Sequence, residues 1–158
     1  MTQTNRRELG RLSLTIGLAG ILPGAVHAAP IEAAKPDREK MIAAVHAYIA
    51  AFEKGSLDEV VALFAEDATV EDPVGGPVRR GRDAIRAFYR QPVALGSKLT
   101  LDGPIRIAAD YAVFPFTVRV NQGGRTMQIE VIDAFRFNAR NEVVEMRAFW
   151  GPANLRTS

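Results

Sequence analysis

The chain contains no cysteine, which removes disulfide frameworks, thiolate zinc sites and cysteine nucleophiles from consideration. Histidine is scarce too, with only His27 and His46. No apolar run is long enough to span a bilayer; the longest candidate, Leu12 to Leu22, falls short of the roughly 20 residues a spanning helix needs. Tracts of low complexity, internal repeats and a second domain are also missing. What remains is a chain of 158 residues with 47% hydrophobic content, suited to one globular domain with a real core.

The formal net charge of +2 is carried by the N-terminus. Arg6, Arg7 and Arg11 open the chain, a short apolar core follows, and Val26-His27-Ala28 offers a small-residue cleavage site. Residues 1–28 therefore read as an export signal. Arg6-Arg7 followed by Leu9, with Gly17 and Gly20 keeping the core mildly hydrophobic, resembles a twin-arginine signal, which exports folded proteins. A general secretory signal and an uncleaved cytoplasmic tail are the alternatives. With no cysteine after the apolar core, a lipoprotein anchor is excluded. Cleavage would remove three of the 20 basic and one of the 18 acidic residues, leaving 17 of each. The mature chain would then be neutral, which argues against nucleic acid or an anionic membrane as partner. Arg82, Arg86 and Arg90 share a helical spacing, read here as a solvated face rather than a phosphate-binding stripe. The expected location is periplasmic or extracellular, or cytoplasmic if the signal is not used.

Residues 29–36 read as a flexible leader, and the domain proper as 37–158. Asp37 is placed to cap a helix running to about Lys54, with Met41, Val45, Tyr48 and Phe52 on one face. Gly55 ends it, and Ser56 with Glu59 forms a capping box for a second helix whose apolar face is Leu57, Val60, Val61 and Phe64. "DATVEDP" alternates as a short strand with Ala68, Val70 and Asp72 on one side, stopped by Pro73. A third helix carries Ile85, Phe88 and Tyr89. From about Ser97 the period changes to two, giving strand-like runs near 98–108, 111–120, 125–137 and 142–150. The expected fold is α+β: three N-terminal helices packed against a curved, mainly antiparallel sheet.

Parity then isolates an anomaly. In "MQIEVIDAFRF" every second residue from Met127 to Phe137 is apolar except Asp133. The neighbouring inner rows are Ala112, Phe114, Phe116, Val118 and Val120 on one strand, and Val144, Met146, Ala148 and Trp150 on another. The polar groups turned toward the interior are thus the Tyr48 phenol, the Asp72 carboxylate at a strand end and the mid-strand Asp133. An isolated ionised carboxylate in apolar surroundings is so costly that it normally takes up a proton. Asp133 then becomes a hydrogen-bond donor, and beside a phenol it makes an oxyanion hole. Asp72, nearer water, can stay ionised and act as a base on carbon next to a carbonyl. No metal or cofactor is required. Taken singly, Tyr48 also reads as a core tyrosine, Asp72 as a turn acid before proline and Asp133 as half of a buried salt bridge. Arg119, Arg136 and Arg147, however, fall on the outward parity.

The segments "AYIAAFEKGSLDEVVALFAEDATVEDPVGGPVRRGRDAIRAFYRQ" and "VIDAFRFNARNEVVEMRAFW" together resemble the bacterial ketosteroid isomerases, over roughly Met41 to Leu155. That resemblance implies a cone-shaped fold like that of nuclear transport factor 2, a homodimer, no cofactor, and conversion of 3-oxo-Δ5 steroids to their conjugated Δ4 isomers through a dienolate. It assigns Tyr48 as catalytic tyrosine, Asp72 as general base and Asp133 as the protonated acid of the oxyanion hole; the family is the known example of a carboxylic acid kept neutral by an apolar site. It further implies that Tyr89 supports the phenol and that Phe88, Tyr89, Phe116, Met146 and Trp150 meet the substrate. Phe64 stands where some members carry another tyrosine, so a shorter network is expected. Two alternatives are an enzyme of the same fold with another reaction, cyclase-like or an epoxide hydrolase, and a non-catalytic carrier of hydrophobic ligands. An epoxide hydrolase of this architecture would want an arginine between two acids, which the inner rows do not supply.

Overall fold

The structure, a computed structural model, describes residues 34–158. The export signal expected over 1–28 and the first part of the leader lie outside the described residues.

The helices form where capping chemistry and apolar spacing agree. The Asp37 carboxylate accepts from the backbone N–H groups of Glu39 and Lys40 at 2.8 and 3.1 Å, opening α1 at Arg38–Lys54. Its Met41, Val45, Tyr48 and Phe52 are all buried. Gly55 adopts φ +70 and closes the helix, a conformation that glycine takes without a Cβ clash. Ser56 then accepts from the Glu59 N–H at 3.3 Å and starts α2, Leu57–Ala62. Phe64, expected on this helix, instead opens the first strand, because α2 stops after six residues and the chain extends at once.

The strands are β1 Phe64–Glu71, β2 Val78–Arg80, β3 Lys98–Leu101, β4 Arg106–Ala108, β5 Tyr111–Gln122, β6 Arg125–Phe137, β7 Val143–Phe149 and β8 Leu155–Thr157; α3, Gly81–Ala94, lies between β2 and β3. They form one sheet of order β2-β1-β7-β6-β5-β3, with β4 also on β5 and β8 also on β6. All pairings are antiparallel except β1 with β7. The α+β architecture of three helices on a curved, mainly antiparallel sheet is therefore as read from the sequence.

Three details differ. The run expected over 98–108 is two strands, interrupted at Asp102-Gly103-Pro104, where the Asp102 N–H bonds the Pro115 carbonyl at 3.0 Å. β2 and β8 were not expected; each is three residues long, too short for alternation to show. In β7 the fully buried residue is Val143 rather than Val144, because the register with β6 shifts between Arg136 and Phe137. A bulge changes parity on one side of itself only, so Met146 and Ala148 keep the expected face.

The core joins the inner faces of α1, α3 and the sheet. Phe64, Tyr89, Phe114 and Phe135 are its largest fully buried rings. On the other side of α3, Arg82 pairs with Glu66 at 3.3 Å and Arg86 with Asp58 at 2.6 Å, in keeping with the solvated face read from their spacing.

Candidate active site

A cavity of about 270 Å³ opens between α1, α3 and the inner face of the sheet. Tyr48, Asp72, Asp133, Phe88, Tyr89, Phe116 and Trp150 all line it. The three polar groups selected by parity thus meet in one space. Met146 does not line it: it is buried between Val70 of β1 and Phe135 of β6, its register partners, within the packed core. Parity identifies a face of a strand, not the depth at which a residue sits beneath its neighbours.

Asp133 is held at mid-strand, opposite Phe114 on β5 and Ala148 on β7. It has no exposed surface, and among the described residues neither carboxylate oxygen has a hydrogen-bond partner. Burial, with the nearby negative charge of Asp72 adding to it, pushes this carboxyl well above the ordinary aspartate range. Arg119, Arg136 and Arg147 do not face it; Arg136 and Arg147 pair with Glu145 and Glu71 instead. Among the described residues Asp133 thus has no salt-bridge partner.

Tyr48 stands on the third turn of α1, fixed by rings at right angles to its own. Centroid separations are 5.2 Å to Phe52, 5.3 Å to Phe135, 6.1 Å to Tyr89 and 6.5 Å to Phe116, all edge-on, the favourable arrangement for aromatic quadrupoles. Its hydroxyl donates to the Tyr89 oxygen at 3.4 Å, long for an O–H···O bond and correspondingly weak. Burial raises the Tyr48 phenol well above its usual value, and the Tyr89 and Asp133 groups push it the same way. Tyr89 is raised for the same main reason. Phe64 packs its ring against Tyr89 at 5.9 Å and has no hydroxyl to lengthen the chain. Burial thus favours the neutral form of both phenols and of the Asp133 carboxyl.

Asp72 follows β1 directly. The chain turns here and is pinned to β7 by the Val74 N–H on the Ala148 carbonyl at 2.8 Å. Its Oδ1 accepts from the Trp150 indole N–H at 2.7 Å. Arg79 donates to the Asp72 backbone carbonyl at 3.0 Å and lies 4.2 Å above the Phe88 ring. Burial raises the Asp72 carboxyl, while the indole donor and the Arg79 charge oppose the rise. Asp133 has no such opposition. The two carboxyls are driven apart: Asp72 releases its proton at a pH where Asp133 keeps it, the pattern that separates acid and base roles.

The indole donor is the feature sequence reasoning missed. Trp150 was expected as an apolar wall, and only the end of β7 brings its nitrogen to Asp72. Among the described residues, no three His, Asp or Glu side chains converge as a metal-binding group. The arrangement puts the Asp72 carboxyl, held by one donor, in the same largely apolar cavity as the Tyr48 phenol and the buried Asp133 carboxyl. Such a site can move a proton on carbon while stabilising a developing oxyanion.

Comparison with known proteins places the chain among relatives. The chain is 40% identical over 114 residues to the steroid Δ-isomerase of Nocardioides simplex, covering 72% of this chain and 91% of the relative. Its structure is similar to that of SalBIII, an epoxide hydrolase/cyclase-like enzyme in pyran ring formation of the polyether salinomycin. There the TM-score is 0.71 and the identity 26%, over 75% of this chain and 96% of the other. The family model of the SnoaL-like domain matches residues 45–146, a span that includes Tyr48, Asp72 and Asp133. This chain belongs to the SnoaL-like domain family.

Proposed function

We propose that the protein is a steroid Δ-isomerase that converts 3-oxo-Δ5 steroids to 3-oxo-Δ4 steroids without a cofactor. The observation that carries this reading is Asp133: a buried carboxyl with two unpartnered oxygens, sharing an apolar cavity with the Tyr48 phenol and an accessible second carboxyl. A group so arranged is stable as the neutral acid, and its proton then has no acceptor until a ligand oxygen arrives.

In the proposed reaction the Asp72 carboxylate removes a proton from C4 of the 3-ketone. The electron pair moves into the ring and negative charge collects on the ketone oxygen, where Tyr48 and Asp133 donate to it. Asp72 returns the proton to C6, completing the shift of the double bond. The Trp150 indole keeps the base oriented during both transfers. Tyr89 stands close enough for its O–H to turn and donate to Tyr48 once the Tyr48 proton is committed to substrate.

The test is direct. Purified mature protein mixed with 5-androstene-3,17-dione is expected to produce the conjugated enone, read by ultraviolet absorbance, at a rate that scales with enzyme. No rise above background would reject the isomerase.

The likeness to SalBIII supports a second reading, an enzyme of cyclase or epoxide hydrolase type. The positive group nearest the base is Arg79, which is engaged with the backbone carbonyls of Asp72 and Pro77 and is not among the residues lining the cavity. That argues against a guanidinium acting between two acids. Hydration of a simple aryl epoxide in place of enone formation would favour this second reading. Export to the periplasm or exterior and assembly as a homodimer belong to the same proposal; they are tested by cell fractionation and by the solution mass of the mature chain.

A further inference from the structure

The end of the cavity opposite the carboxyls is built by the turn that closes α3. Gly96 adopts φ +68 and its N–H bonds the Val93 carbonyl at 3.0 Å, while the Ser97 N–H bonds the Pro92 carbonyl at 3.2 Å. This is the double hydrogen bond of a Schellman ending, in which the residue after the left-handed glycine commonly packs an apolar side chain back on the helix. Here that residue is a serine.

The same Gly-Ser pair ends α1, and the contrast is informative. There the Ser56 hydroxyl accepts from the Glu59 N–H and caps α2. After Ser97 comes a strand, so no helix needs a cap. Ser97 is 1% exposed and its hydroxyl has no hydrogen-bond partner among the described residues, although native interiors match nearly all buried polar groups.

Ser97 also lines the cavity. Continuing the β3–β5 register from Lys98 opposite Arg119 places it across from Val120, which pairs with Met127 on β6. Asp133 lies six residues further along β6, opposite Phe114. At about 3.3 Å per residue the two ends are up to roughly 20 Å apart along the strand, and Phe116, Val118, Ile129 and Val131 supply apolar wall between them. The cavity is thus polar at both ends and greasy in between.

We propose that the Ser97 hydroxyl is a second polar subsite, hydrogen-bonding an oxygen substituent at the end of the ligand remote from the enolised ketone. This rests on the steroid reading above and sharpens it: the site selects steroids oxygenated at C17 over their 17-deoxy counterparts. Because the contact is distant from the reacting carbons, it acts equally on ground and transition states and should appear in KM rather than kcat.

Binding can be followed without turnover through the fluorescence of Trp150, the single tryptophan of the chain and a cavity wall. The probes are 4-androstene-3,17-dione and 4-androsten-3-one. The wild type should bind the 17-oxo steroid about three- to ten-fold more tightly, the range of one neutral hydrogen bond. Ser97→Ala should abolish that preference by weakening the 17-oxo steroid alone. Turnover of the matching Δ5 substrates should show the same factor in KM with kcat unchanged. Equal affinities in the wild type, or equal weakening of both steroids by Ser97→Ala, would overturn the subsite even if isomerisation is fast. Discriminating binding without isomerisation would uphold the subsite and reject the isomerase. Absence of binding by either steroid would reject both.

Discussion

Replacing Asp133 by Leu sets the two consequences of its environment against each other. The native carboxyl is fully buried with both oxygens unpartnered, and an unsatisfied buried polar group costs about 1–3 kcal/mol. Leucine removes that cost, and the adjoining cavity gives the larger side chain room, so the variant should gain roughly that much stability. Its activity should fall in the opposite direction: loss of one preorganised donor to an oxyanion costs about 10²–10³ in kcat, or roughly 3–4 kcal/mol. Asp133→Asn keeps an N–H donor and should lose far less activity.

The pH dependence sharpens the test. The Asp133 pKa is raised in the native state, so above the ordinary value of 3.8 the unfolded chain has lost a proton that the folded chain retains. Stability from this group is complete below that pH and declines as pH climbs toward the native pKa, by about 1.4 kcal/mol per pH unit for one proton. Both substitutions should remove this decline. Urea melts of the three proteins from acid to neutral pH, read as midpoint shifts at constant slope, measure it alongside the steroid assay. A leucine variant that is less stable, keeps its turnover and shows the wild-type pH trend would refute the reasoning and make Asp133 structural.

Other expectations follow from the neighbours. Asp72→Asn should lower turnover by about 10²–10⁴ while leaving the urea midpoint close to wild type. Trp150→Phe removes the indole donor that holds the Asp72 pKa down. The ascending limb of kcat/KM against pH should therefore move to higher pH, and a shift downward or none would contradict the role given to the indole. Tyr89→Phe breaks only a 3.4 Å contact, so its effect on kcat should stay within about ten-fold, the worth of one ordinary hydrogen bond. Asp37→Ala should cost about 1 kcal/mol of stability through the lost helix cap, with activity unchanged.

Much of this was legible in the sequence because the signals were periodic. Asp133 stood out in its apolar row because a strand has a strict period of two, and the 13 residues of β6 run without an internal bulge until Arg136. Tyr48 was found the same way on a helix face. Where the period failed, so did the reading. The shift at Arg136 moved burial from Val144 to Val143, and Met146 shares the correct face but is packed between Val70 and Phe135 rather than at the cavity. The Trp150 bond to Asp72 joins residues 78 apart in the chain, and no local pattern encodes it. Ser97 was hidden for a different reason: it marks where the period of two begins and shows no pattern of its own, and only the packed cavity reveals that its hydroxyl faces no partner among the described residues.

The proposed reaction requires a neutral acid at position 133, and its protonation can be measured on the folded protein. Carboxyl-labelled aspartate, observed by carbon NMR in the wild type and assigned by its loss in Asp133→Asn, reports the charge of each group across the pH range. A signal that keeps the shift of a protonated carboxyl at pH 7 while that of Asp72 has already moved to the ionised value is the predicted result. An ionised residue 133 at pH 7 would contradict the mechanism.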